Sequence, residues 1–310
     1  MCALAVLELM TGYIKIPLSS IINVNSPVDI IIFEIRLPRL LLALSAGIAL
    51  SVSGATFQSI FRNPLVSPYL LGVASGSAFG AALGFALSLS YSGVAGLAFG
   101  FGLSAVLTAY SIAHIRGDAS PIILLLSGII VSAFFSAITS FIEFIVPKDK
   151  LPSIVFWTMG GFTFASWEKV AISFPVVILC SIFIYLVRWR LNVIALGDEQ
   201  AQSLGINVKR LRAILILIST LIVSVVIAFV GTIGWVGLIV PHLARLIIGQ
   251  DHRYLLPVSV FLGASFMLGA DIIARTALGM EIPVGIITSL AGAPFFIYLL
   301  LKKERRTVWN

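Results

Sequence analysis

Few side chains in this 310-residue sequence can do covalent chemistry, and their spacing argues against it. His114, His242 and His252 stand at apparent helix ends or in loops, with no HExxH pair and no paired-cysteine motif beside them. Cys2 and Cys180 are distant and set among apolar residues, which suits two buried thiols better than a disulfide or a metal site. A hydrolase or transferase needs a nucleophile, a base and a group to orient them, and no such set emerges. The sequence also lacks a GxxxxGK[ST] phosphate loop, so the chain is not expected to hydrolyse ATP. Asp271 and Arg275 are four residues apart, a spacing that lets them neutralise each other on one helical face. Neither they nor Glu143 falls at the centre of an apolar run, which weakens ion-coupled transport.

The remaining polar clusters read as connectors and docking surfaces. In 234-GWVGLIVPHLARLIIGQDHRYLLP-257, Pro241, His242 and Arg245 interrupt an apolar run, and Asp251, His252 and Arg253 follow. Gly234 and Gly237 are expected to allow close packing, and Pro241 to bend its helix by removing a backbone donor. The charged members are expected to lock helices together; contact with a soluble partner is the alternative, and metal binding by the histidines is the weakest reading. In 197-GDEQAQSLGINVKRLR-212, residues 198–204 read as a short helix, Gly205 as its stop and Asn207 as the cap of the next. Two short helices of mixed charge would offer a soluble partner a firm seat, or else form a structured connector. Asn63 and Pro64 look like a cap and first-turn proline, with Arg62 anchoring the turn.

The elements that must position these residues follow from composition. Hydrophobic residues make up 59% and charged residues 11%, with a mean hydropathy of +1.11, whereas soluble domains carry roughly 25% charge. Lipid is therefore the solvent for most of the chain. Nine apolar spans are expected, at 37–60, 65–89, 93–113, 121–146, 171–187, 213–232, 233–249, 254–274 and 282–301, while 151–170 suits short interfacial helices. The opening MCALAVLELM lacks a signal peptide's basic region and makes half a span, as expected of an incomplete first helix or a true start further upstream.

With alternating spans, thirteen of the 20 basic residues fall on one side. They are Arg62, Arg116, Arg188, Arg190, Lys209, Arg210, Arg212, Arg245, Arg253, Lys302, Lys303, Arg305 and Arg306, and this side is cytoplasmic by the positive-inside rule. Arg36, Arg39, Lys148, Lys150, Lys169 and Arg275 fall outside, and Lys15 lies in the short first segment. The net charge of +7 is thus a topology signal, and nucleic-acid binding is not expected. Gly72, Gly76, Gly80 and Gly84, four apart, read as a close-packing face or, less simply, as the side of a substrate path.

From 36-RLPR-39 onward the chain resembles the permease subunits of binding-protein-dependent ABC importers for ferric siderophores, haem and vitamin B12. The resemblance rests on 53-SGATFQSIFRNPLVSPYLLGVASG-76, 158-TMGGF-162, 196-LGDEQAQSLG-205, 234-GWVGLIVPHLARLIIGQDHRYLLP-257, 270-ADIIAR-275 and 281-EIPVGIITSLAGAPFF-296, in this order. It implies an all-α polytopic membrane fold, the BtuC-like type II importer permease, with about ten transmembrane helices in a single domain over 1–310. The family has a full helix ahead of RLPR; here only 35 residues precede Arg36, so the first helix in 1–35 is expected to be incomplete.

Further implications concern partners. These are a second permease copy as a homodimer, two cytoplasmic ATP-binding subunits that use ATP and Mg, and an external substrate-binding protein; no cofactor is bound directly. The coupling region, about 191–212, would seat on the ATPase through Gly197, Asp198, Glu199, Gln200, Ala201, Leu204 and Gly205. Arg36, Arg39 and Arg275 would receive acids of the binding protein. Ferric siderophore is the first choice of cargo, with haem, cobalamin and molybdate open. A secondary transporter, or a membrane enzyme or scaffold, are the competing readings. The expected location is a bacterial or archaeal plasma membrane, the inner membrane in a Gram-negative cell.

Overall fold

A computed structural model describes residues 1–11, 30–115, 120–278 and 280–303. Lys15, Arg116, Arg305 and Arg306, and the side chains of Lys302 and Lys303, lie outside what is described. Thirteen α-helices occur among the described residues: α1 (Cys2–Met10), α2 (Leu37–Ile60), α3 (Val73–Ala86), α4 (Tyr91–His114), α5 (Pro121–Ile145), α6 (Leu151–Met159), α7 (Trp167–Leu186), α8 (Arg188–Leu196), α9 (Asp198–Ser203), α10 (Val208–Val230), α11 (Val236–Ile248), α12 (His252–Thr276) and α13 (Val284–Lys303).

Six helical stretches are long and apolar enough to cross a membrane: α2 with its preceding π-helical turn Ile31–Arg36, α4, α5, α7, α10 and α12. Shorter apolar helices, Val73–Ala86, Val236–Ile248 and Val284–Tyr298, occupy the other three expected spans. The expected span 65–89 is the one most changed. Its first part is a turn and a 3-10 helix, Pro68–Leu71, leaving α3 only 14 residues, about 21 Å of helix. Asn63 accordingly caps a turn and not a helix, its Oδ1 accepting the Leu65 N–H at 2.9 Å.

Helix α2 is the axis of the fold. It packs on α7, α10, α11 and α12, and its sequence is rich in alanine, serine and glycine because neighbouring backbones must come close. A Cβ on Gly47 would stand 2.3 Å from the Gly263 carbonyl oxygen, and one on Gly54 would stand 1.9 Å from that of Gly237. Several hydroxyls buried on α2 turn back to their own helix, Ser45 donating to the Leu41 carbonyl at 2.8 Å and Thr56 to that of Val52 at 2.8 Å, while Ser53 crosses to the Ser219 carbonyl of α10 at 3.2 Å. Leucine and phenylalanine face outward elsewhere, as on α5, where Phe134, Phe141 and Phe144 are exposed. Such exposure suits a lipid environment.

The spaced glycines divide by role. Gly76, Gly80 and Gly84 bring α3 against α4, where added Cβ atoms would meet Phe101 O at 2.5 Å, Leu97 O at 2.3 Å and Val94 Cα at 3.0 Å. Gly72 instead precedes the helix at φ +92°, the left-handed region that glycine enters without strain.

Candidate functional site

Polar residues gather at two ends of the bundle, with an uncharged wall between. At one end, the start of α2 meets the end of α12. Arg39 donates to Asp271 through Nε at 2.9 Å and Nη2 at 2.6 Å, and Nη2 also reaches Glu281 Oε1 at 2.5 Å. Arg275 Nε lies 3.1 Å from Asp271 Oδ2, so the four-residue pair forms, and its Nη2 lies 2.5 Å from Glu8 Oε1. Arg36 donates to the Leu9 carbonyl at 2.5 Å. Thr163 donates to Glu281 at 3.0 Å. Arg36 and Arg39 are 5% and 8% exposed. Arg39 and Arg275 thus turn inward on three carboxylates, Asp271, Glu8 and Glu281, while Arg36 is buried against the Leu9 carbonyl. Glu8, far from Asp271 in sequence, and Glu281, beyond the end of α12, carried no signal of this pairing.

At the opposite end, α9 starts from Gly197, whose φ of +135° suits glycine alone, and stops before Gly205 at φ +77°. Asn207 caps α10 by accepting the Arg210 N–H at 3.0 Å. Asp198 accepts from Arg212 Nη2 at 2.9 Å on both oxygens, and Arg62 Nη2 stands 4.0 Å away. Ala201 is buried beneath α9, while Glu199, Gln200, Leu204 and Gly205 face outward. Leu196 and Leu204, 67% and 61% exposed, flank the polar residues.

Beside this short helix, the 241–253 cluster ties four helices. Arg245 donates to Gln58 Oε1 of α2. His252 donates to Asn192 Oδ1 of α8 through its backbone N–H at 2.9 Å and through Nδ1 at 2.6 Å, leaving Nε2 to face Ser59 Oγ at 2.5 Å. Asn192 Nδ2 donates in turn to Asp251 at 2.8 Å, and Asp251 also accepts the Arg253 N–H at 2.9 Å. These bonds, the backbone one first, hold the Asp251 carboxyl below its usual range. Asn192 was missed in the sequence, since a lone asparagine in a short amphipathic helix carries no pattern. His242 packs near the Phe296 ring, 6.4 Å between centroids. Pro241 sits inside α11 and is buried.

The two glycines of this motif part company. Gly237 is needed where α2 passes, for a Cβ there would stand 2.9 Å from the Leu50 carbonyl oxygen. The expectation of close packing at Gly234 is corrected: nothing lies within 4 Å of its Cβ position, because it borders an open cavity. The turn's positive φ falls instead on Trp235, at +71°, whose ring lies against Gly292.

Between the ends runs an open cavity of about 710 Å³, lined by Ser75, Ser136, Thr232, Gly234, Gly285 and Ser289 among others, none of them charged. It forms where helices are interrupted. Gly161 donates to the Val230 carbonyl at 2.8 Å, Gly285 to that of Gly160 at 3.3 Å, and Tyr69 to that of Ile233 at 2.7 Å. Backbone groups freed by these breaks thus find partners, as they must in lipid. A mainly apolar wall with scattered hydroxyls and glycines gives a solute many weak contacts and no deep trap. Among the described residues no group of three or more His, Cys, Asp or Glu side chains is placed to hold a metal.

A multi-spanning all-α body with an uncharged cavity among its helices is that of a membrane permease. The model of the FecCD transport family matches residues 1–302, and the chain belongs to that family. It is 43% identical over 278 residues to the molybdate import system permease protein MolB of Haemophilus influenzae, covering 89% of this chain and 82% of that one. It is 41% identical to the cobalamin import system permease protein BtuC of Halobacterium salinarum, covering 92% and 77%, and 38% identical to the haemin transport system permease protein HmuU of Yersinia pestis, covering 88% and 84%. A solved structure described as an inward-facing conformation of a metal-chelate type ABC transporter superposes with a TM-score of 0.88 at 39% identity, covering 97% of this chain and 96% of that one. The protein is a multi-pass transmembrane permease subunit of an ABC importer of the chelate, haem, cobalamin and molybdate group, at home in a bacterial or archaeal plasma membrane.

Proposed function

We propose that this permease passes a ferric siderophore, working as a homodimer with two ATP-binding subunits on its inner face and a substrate-binding protein on its outer face. The observation that carries the reading is the uncharged cavity, mainly apolar with scattered hydroxyls and glycines. A bulky chelate whose metal is already fully liganded needs space and weak contacts, not ligands from the protein. Haem, cobalamin and molybdate are the alternatives that the named relatives bring in.

The inner seat is formed by Gly197, Asp198, Glu199, Gln200, Ala201, Leu204 and Gly205. Its support is a polar helix held firmly from below by Asp198–Arg212 and flanked by exposed Leu196 and Leu204. Hydrolysis by the ATPase pair then moves a rigid element, and the two end states differ in contacts at that seat. At the outer end, Arg36, Arg39 and Arg275 receive acids of the binding protein. Glu281, the most exposed of their present carboxylate partners, is the one such acids displace. The lock of Gln58, Asn192, Arg245, Asp251 and His252 transmits motion from the seat into α2.

The test is reconstitution in vesicles with the ATPase and the binding protein, offering each of the four cargo types radiolabelled. Accumulation of the ferric siderophore alone, only with ATP and both partners, is expected. Uptake without an ATPase, or uptake of another cargo in its place, would overturn the reading.

A further inference from the structure

Of the six long apolar stretches described, α7 is the least buried. Most of its exposed side chains form one stripe. Ile172, Pro175, Leu179, Ile182, Phe183 and Leu186 recur at three- and four-residue steps, so they stand one above another along the helix. The stripe is about 21 Å long at 1.5 Å per residue, more than the half-thickness of about 15 Å of a bilayer's hydrocarbon. Leu179 and Leu186 are 67% and 64% exposed.

At Val187 the helix gives way to α8, and a basic, aromatic turn closes the stripe. Trp189 and Arg190 follow Leu186 by three and four residues and are exposed. Arg188 folds back on the turn before it. Its Nη1 donates to the Tyr185 carbonyl at 3.0 Å, and its guanidinium carbon stands 4.2 Å from the centre of the Tyr185 ring. The Arg190 guanidinium lies 5.6 Å from the centre of the Trp189 ring. Such ring contacts hold a guanidinium in place without neutralising it. Among the described residues neither arginine forms an ion pair. Two positioned guanidinium forks at a membrane edge match phosphate oxygens, and tyrosine and tryptophan belong at headgroup level. A soluble subunit would meet the arginines but could not follow the stripe into the bilayer.

We propose that this edge binds one anionic glycerophospholipid, its phosphodiester between Arg188 and Arg190, its glycerol beside Tyr185 and Trp189, and an acyl chain along the α7 stripe. Choline lipids fit less well, because their own cation stays tethered to the phosphate and would stand beside two guanidiniums. The lipid fastens the joint between α7 and α8 to the membrane. About 13 Å of helix separates this joint from Gly197, so the lipid leaves the outward residues of α9 uncovered. The site depends on the membrane location of the chain, and on neither the cargo nor the partners proposed above.

The experiment is native mass spectrometry of the chain, delipidated in detergent and titrated with phosphatidylglycerol or with phosphatidylcholine of the same acyl chains. One phosphatidylglycerol per chain is expected to survive activation that strips phosphatidylcholine. Arg188→Gln with Arg190→Gln is expected to weaken it by about tenfold to thirtyfold, with the melting temperature in lipid-free detergent unchanged. Should that variant fold poorly, Arg190→Gln alone, at an exposed site, is expected to weaken it by about fivefold. Ile182→Ala/Leu186→Ala trims the acyl contact and is expected to cost about fivefold as well. Equal retention of the two lipids, or unchanged retention in the arginine variants, overturns the proposal. So does loss of dimers in Ile182→Ala/Leu186→Ala with lipid retention unchanged, which would give the stripe to a second copy of the chain.

Discussion

Asp271 is fully buried and shared by Arg39 and Arg275, so it is the residue whose loss leaves the most uncompensated charge. Removing one partner of a buried ion pair costs about 3 kcal/mol or more, because the charge left behind has lost both water and its mate. Asp271→Asn is therefore expected to lower the melting temperature strongly in detergent, with Arg39→Met/Asp271→Leu less harmful than the single change; equal losses would refute the pairing argument. At the other end Asp251 is half-buried, and its carboxyl is depressed first by the Arg253 N–H and then by Asn192. A group with a depressed folded pKa stabilises above its ordinary value and loses that contribution as pH falls through the folded one. Heat stability should hence decline as pH drops below about 3.8, and less so in Asp251→Asn; parallel acid profiles would refute this. In the sequence, Asp271 and Arg275 are visible as a pair because four-residue spacing is a local rule, whereas Arg39, Glu8 and Glu281 join them only through folding.

Helix packing makes the next distinction. Gly54 and Gly237 meet where α2 crosses α11, and the added Cβ at Gly54 would fall 1.9 Å from a carbonyl oxygen that cannot move without shifting a helix. Overpacking of this kind costs about 1–3 kcal/mol. Gly54→Ala is expected to destabilise the protein by about that much in thermal unfolding, while Gly234→Ala, facing open space, leaves the melting temperature unchanged. The reverse order would show that the two helices do not cross as described. Element identity was legible in most of the chain, since apolar runs ending in charges or glycine have one stable form in lipid. It failed at 65–89, where the apolar residues continue without a break but Pro68 and Gly72 impose a 3-10 turn that hydropathy does not register.

For the whole molecule, the prediction concerns coupling. The short helix α9 is held by Asp198–Arg212 and packs chiefly through Ala201, so its outward residues can be changed without unfolding the bundle. Glu199→Ala/Gln200→Ala/Leu204→Ala is expected to leave membrane yield and ATPase activity largely intact and to cut transport per ATP by about tenfold or more. Normal transport per ATP in that variant would remove the coupling role from this surface. The sequence by itself determined that lipid is the solvent and where most helices run. Composition, local spacing and charge asymmetry are properties of neighbours along the chain. Only the tertiary structure decided that the outer arginines face acids instead of water, that Asn192 holds His252 and Asp251, and that serines and glycines from separate helices line one uncharged cavity. Those depend on groups far apart in the chain, and their approach is set by how closely small residues let helices pack.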